Sequence, residues 1–244
     1  MKFQLIALSL LAATACTVDS SAPIEPGGIA PAKITVNSLL PSSVTASNLG
    51  NVALTSSVAS SWAVTDPRRA TLIYLYGCAM PSGSTMSYNN GLTQYTLVGS
   101  LGLAPSWSTG ALTLDQQQMV SSCVLSRVNY YGQAVSISAR GASVALATTP
   151  TEVSDYYLDE GAFYGNILGG GPTALHACVG PDKVATPNQD DLQYRICATG
   201  STVGAVNSCN FTYDGLCSDV CGSNKAGHFD SCAGFADVTT TWVQ

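Results

Sequence analysis

The feature that most constrains this chain is an even set of eight cysteines, at positions 78, 123, 178, 197, 209, 217, 221 and 232. In an oxidising compartment eight cysteines form up to four disulfides, with 105 conceivable pairings. Each bridge stabilises by ~2–4 kcal/mol, chiefly by restricting the unfolded chain. The sequence predicts that Cys78 pairs with Cys123 between two helices, that Cys178 pairs with Cys197 across adjacent strands, and that Cys209, Cys217, Cys221 and Cys232 pair among themselves. A competing reading makes Cys209, Cys217, Cys221, His228 and Cys232 tetrahedral zinc ligands. Seven, three, six and three residues separate them, so the set lacks a C-x-x-C pair. Disulfides are the expected state, and no metal or cofactor is expected.

A ninth cysteine, Cys16, stands apart. It ends the stretch Met1 to Cys16, in which Lys2 precedes a short apolar core from Leu5 to Leu11 and small residues at Ala13, Thr14 and Ala15. The core is too short for a permanent transmembrane helix and has the layout of a secretory signal. Small residues directly before a cysteine resemble the bacterial lipobox. The resemblance implies a signal peptide over 1–15, cleavage, and lipidation of Cys16 with palmitate-type chains. Thr17 is not the aspartate that marks inner-membrane retention, so the resemblance favours the outer membrane or cell surface. Residues 16–33 are rich in proline, glycine and small side chains and read as a flexible tether. No later run is apolar for the ~18 residues that a membrane span needs.

Residues 34–244 are long enough to bury a full core as one disulfide-stabilised domain, with two sub-lobes and a break near residue 150 as the open alternative. Its clearest local signals lie between Thr113 and Gly141. Thr113 and Gln116 have the spacing of a capping box, and Met119, Val120, Cys123, Val124 and Val128 then recur at helical steps. Gly132 is placed to end that helix. The period changes to two at Val135, Ile137 and Ala139, so a strand follows. Asp66-Pro67 signals a helix start before Arg68 to Cys78, although Thr71 to Tyr76 also suits a buried strand. One or two short helices are expected within 44–64, a loop over 83–91 and a strand or hairpin over 92–103. Further strands are expected at 143–147, 175–179, 192–198 and 237–243, with a polar loop over 182–191. Trp107 is expected to cover the core. The fold class is α+β: helices of the N-terminal half packed on a mainly antiparallel sheet, followed by a disulfide-rich, loop-rich C-terminal part.

Charge is sparse, at 10% of residues against a usual ~25%. Residues 151–244 carry eleven acids against three bases, Lys183, Arg195 and Lys225. Nucleic acid, which needs clustered Lys and Arg, is therefore not an expected partner. The catalytic candidates are few. Glu160, flanked by aromatics in Asp159-Glu-Gly-Ala-Phe-Tyr164, suits one carboxylate of a glycoside hydrolase, but no second one can be named. His176 beside Cys178 is the other candidate, with no G-x-S-x-G elbow to partner it. Asn188 to Asp191 and Asp214 to Asp219 lack the full pattern of a calcium loop, and Gly169 to Gly171 lack the lysine and helix of a phosphate loop. Tyr130, Tyr131, Tyr156, Tyr157, Tyr164 and Trp107 are the aromatics available to stack on sugars.

The runs Val120 to Asn129, Ser136 to Gly141 and Glu160 to Gly165 look like segments of exported bacterial proteins of unknown function, a resemblance that implies no activity and transfers no site. Two functions follow as expectations. The first is a lipid-anchored surface protein with a binding or structural role toward an extracellular polymer or surface protein. The alternative is an extracellular hydrolase of a polysaccharide or peptide polymer, using Glu160 or His176.

Overall fold

Helix formation follows the local start signals closely. The computed structural model describes residues 33–34, 37–170 and 173–244; the signal segment, Cys16 and the tether up to residue 32 lie outside them. The helices are α1 (Ser56–Trp62), α2 (Asp66–Ala79), α3 (Leu114–Ser126), α4 (Pro150–Asp155), α5 (Pro181–Ala185), α6 (Asp190–Gln193) and α7 (Cys217–Val220). The strands are β1 (Lys33–Ile34), β2 (Thr85–Asn89), β3 (Gln94–Val98), β4 (Ile137–Arg140), β5 (Leu158–Asn166), β6 (Ala174–Val179), β7 (Thr212–Leu216), β8 (Asn224–Lys225), β9 (His228–Phe229) and β10 (Val238–Val243).

The capping box of α3 is complete. Gln116 N–H donates to Thr113 Oγ1, and Thr113 N–H donates to Gln116 Oε1. The helix ends at Ser126 rather than at Gly132, whose φ of 65° serves the turn that follows. In α2 the cap falls one residue earlier than Asp66, at Thr65. The helical reading of 68–78 holds, and Leu72, Leu75, Cys78 and Ala79 are fully buried. The last carbonyls of α2 are met by the following chain. N–H groups of Leu101, Leu103 and Ala104 donate to Gly77, Cys78 and Ala79, which accounts for a helix end sealed inside the protein. Trp107 is fully buried, and its indole N–H reaches the carbonyls of Leu49 and Val52.

Six strands form the central sheet in the order β1-β4-β10-β5-β6-β7. Every pairing is antiparallel except β6 with β7. Helix α3 lies on β5 and β10 and is backed by α2. A second apolar cluster covers the opposite side, with Phe229, Phe235, Cys217, Cys221 and Cys232 packed with Ala162, Tyr164, Cys178 and Val238. Strand β4 is consequently buried at all four residues. The fold is thus α+β, with a mainly antiparallel sheet and a disulfide-rich C-terminal region. Strand β4, before residue 150, pairs with β10, after it, so the sheet runs across the compositional break.

Several local expectations give way. Residues 83–91 contain β2, which pairs with β3 through a Tyr88–Tyr95 stack. Val144–Leu146 forms a 3₁₀ turn, not a strand. The polar stretch 182–191 is largely taken up by α5 and the start of α6, and 192–198 is no strand because Arg195 turns inward there. Residues 44–64, by contrast, hold one short α-helix, α1, besides a 3₁₀ turn, in line with the one or two short helices expected there.

Disulfide pairing is the main correction. Cys78–Cys123 joins α2 to α3 as expected. Cys178, however, bonds Cys217, while Cys197 bonds Cys209. Of the last four cysteines only Cys221 and Cys232 pair with each other. The reason is sheet order: β6 lies beside β7 in parallel, with Val179 opposite Leu216, so Cys178 meets the start of α7.

Candidate functional site

Glu160 does not line a cleft. Thr241 pairs with Gly161 and Trp242 with Asp159, which leaves Glu160 as the extra residue of a bulge on β5. Gly161 makes the bulge feasible. Its φ is 147°, and a Cβ there would lie 2.2 Å from the Cys178 carbonyl oxygen. The bulge turns Glu160 into the helix-side core. There Arg195 Nε and Nη2 donate to Oε2 at 3.1 and 3.0 Å, and Thr241 Oγ1 donates to the same oxygen at 2.7 Å. Both side chains of this ion pair are 0% exposed. Arg195 also donates to the carbonyls of Ser126 and Val128, closing the end of α3. The carboxylate that the sequence nominated for catalysis is therefore a packed structural ion. Arg195 carried no spacing signal, only the oddity of one cation within an apolar run.

Buried charge extends beside it. Lys183 donates to the Leu192 carbonyl, and burial lowers its pKa, partly offset by Glu160. Asp159 receives no donor at Oδ1; burial first, then Asp182 and Glu160, push its carboxyl up to about 7. Arg140 donates to the Tyr156 carbonyl and lies 4.3 Å from the Trp242 ring centroid.

His176 is different. It lies half-buried on β6, and its Nδ1 sits 2.8 Å from Asp214 Oδ2. The Tyr164 hydroxyl donates to that same oxygen at 2.7 Å. Tyr164 and His176 stack at 5.6 Å between centroids, and Phe235 packs on both. Burial, reinforced by Asp214, raises the Tyr164 pKa, so it stays a donor. An aspartate that accepts at Nδ1 leaves Nε2 as the basic atom of the ring. The arrangement suits proton transfer to or from a bound molecule. No serine, threonine or free thiol is hydrogen-bonded to His176 among the described residues. Asp214, which opens the stretch 214–219 that lacks the full calcium-loop pattern, is committed to this network. Of Cys209, Cys217, Cys221, His228 and Cys232, only Cys217 and Cys221 converge, together with Cys178, so that zinc set does not assemble among the described residues.

A third group lies on the surface. Tyr130, Tyr131 and Tyr194 are 45%, 52% and 42% exposed. Tyr131 meets Tyr130 edge-on at 5.2 Å and Tyr194 edge-on at 6.3 Å, with interplanar angles of 90° and 88°. The three rings form an open corner. Buried Asn129 fixes it: its Nδ2 donates to the Tyr194 carbonyl, and its Oδ1 accepts from the N–H of Tyr131. Tyr130 and Tyr131 were legible as sugar-stacking candidates; Tyr194 was not, because its approach depends on the 129–194 contact. Tyr156, Tyr164 and Trp107 are core residues instead.

A groove of about 470 Å³ runs beside Val184, Pro187, Ile196 and Tyr213, and neither Glu160 nor His176 lines it. No helix among the described residues is long and apolar enough to cross a membrane. Compared with known proteins, the chain matches no family model, no curated protein and no solved structure.

Proposed function

We propose that this is an exported, lipid-anchored protein of the outer membrane or cell surface, and that it binds an extracellular polysaccharide at the Tyr130–Tyr131–Tyr194 corner. The observation that carries this reading is three contacting, half-exposed tyrosine rings held by a buried asparagine. Tyrosine offers a large rigid face and a polar tip at low entropic cost. Such a corner can take the apolar face of a sugar ring while the hydroxyls meet its polar groups. The sparse charge of the chain suits a neutral polymer better than an ionic one. The lipobox-like stretch ending at Cys16, the tether and the four disulfides support the location.

The test is retention by insoluble polysaccharides, comparing the native protein with Tyr131→Ala. Loss of one central ring is expected to weaken binding about tenfold, or ~1.4 kcal/mol, without lowering the unfolding temperature. Equal retention of the variant, or no retention of either, would sink the reading. Palmitate labelling with and without globomycin tests the anchor; a mature chain that takes up no label at Cys16 removes it. A second reading, hydrolysis of the same polymer, is favoured by the Asp214–His176 pair alone. His176→Ala would then abolish chain cleavage while leaving retention intact.

A further inference from the structure

Two of the disulfides are immediate neighbours. Sγ of Cys178 lies 3.5 Å from Sγ of Cys221, although each is bonded elsewhere, to Cys217 and Cys232 respectively. The sulfurs of Cys178, Cys217 and Cys221 all lie within 4.8 Å of one another, the only such convergence of metal-binding side chains among the described residues. A zinc ion with four sulfurs at ~2.3 Å in a tetrahedron sets them ~3.8 Å apart. The non-bonded Cys178–Cys221 separation of 3.5 Å is close to that spacing, whereas the disulfide holds Cys178 and Cys217 at 2.03 Å, and Cys232, bonded to Cys221, lies outside the 4.8 Å group. The backbone frame does not depend on the sulfur bonds alone. Cys217 and Cys221 are four apart, spanning the single turn of α7, so they share one face. Cys178 is set beside them by the parallel β6–β7 ladder. Cys232 returns to Cys221 through a backbone bridge. Phe229, Phe235 and Val238 wall the cluster off.

Every disulfide begins as two thiols. We propose that the thiol form of this chain holds one thiophilic divalent cation of the zinc class at Cys178, Cys217, Cys221 and Cys232, and that the two disulfides and the metal exclude each other. In the binding step four S–H bonds break and four metal–sulfur bonds form. Four protons go to solvent, the site carries a net charge of −2, and no electrons move. The disulfide form offers no thiolate and does not bind. The sequence set of five misplaced this site: Cys178 replaces Cys209 and His228, because β6 approaches α7 only in the folded sheet.

Cobalt(II) is the probe, since tetrahedral thiolate coordination gives it a characteristic visible spectrum. The full chain is reduced with a phosphine under anaerobic conditions and titrated with cobalt, then with zinc. One equivalent of cobalt with a four-sulfur spectrum, displaced by zinc, is expected. Cys178→Ser should weaken binding at least about tenfold, and Cys197→Ser should leave it unchanged. The oxidised protein should show no such spectrum. An absent spectrum in the reduced chain, binding insensitive to Cys178→Ser, or equal binding by the oxidised protein would each overturn the proposal. Should the reduced chain lose its fold, near-ultraviolet circular dichroism during the same titration decides. Recovery of the native signal at one equivalent of cobalt supports the site, and no recovery refutes it.

Discussion

Replacing Arg195 by leucine tests whether the buried ion pair is structural. The guanidinium has four donations to lose, two to Glu160 Oε2 and one each to the carbonyls of Ser126 and Val128. Removing one partner of a fully buried pair costs ~3–5 kcal/mol, mostly because the other charge stays behind without compensation. Each abandoned carbonyl, Ser126 at the end of α3 and Val128 just beyond it, adds ~1 kcal/mol or more. The expected loss is therefore about 5–7 kcal/mol, comparable with the whole stability of many domains. Glu160→Leu strands the cation instead, but Arg195 keeps its two carbonyl acceptors, so a smaller loss of about 3 kcal/mol is expected. The double variant leaves no stranded charge. Its loss should fall well short of the sum of the two single losses, with a coupling of ~2 kcal/mol or more. Urea unfolding with the disulfides intact, followed by near-ultraviolet circular dichroism, measures all three. A cost below about 1 kcal/mol for Arg195→Leu, or strict additivity in the double variant, would refute the reasoning. So would Glu160→Gln abolishing an activity with stability untouched, since that would restore Glu160 as a catalytic acid.

Three further outcomes follow from the same structure. The folded-state pKa of Asp159, about 7, lies above its ordinary value, so the fold prefers its protonated form. Its contribution is fully present below about pH 4 and is lost as pH rises through 7, for a total of about 4 kcal/mol. Asp159→Asn should remove that component from the stability–pH curve; an unchanged slope between pH 4 and 7 refutes it. Gly161→Ala places a methyl against the Cys178 carbonyl at a φ of 147°, and a loss of about 3 kcal/mol or more in urea unfolding is expected. Non-reducing peptide mapping should recover Cys178 linked to Cys217 and Cys197 linked to Cys209; a Cys178–Cys197 peptide would contradict the sheet order.

What the residues reveal by themselves is local. The Thr113–Gln116 box, the helical recurrence through Val124 and the start signal near Pro67 each act within a turn or two, so α2 and α3 were legible without any partner. The Cys78–Cys123 bridge followed from those two helices. Strand β10 was legible near its observed bounds. Composition likewise marked the C-terminal region as acidic and cysteine-rich. Tertiary structure decided the rest, because each remaining feature is a meeting of distant segments. The bulge at Glu160 exists only against β10, and it sends inward a carboxylate that alternation alone would have left on the other face. Arg195 turns inward to meet it, which abolishes an expected strand. Cys178 bonds Cys217 because β7 lies beside β6, and Tyr194 completes the tyrosine corner because Asn129 reaches across 65 residues. Caps and periods are energies of neighbours along the chain; pairings, buried charges and binding surfaces are energies of neighbours in space, fixed once the sheet has chosen its order.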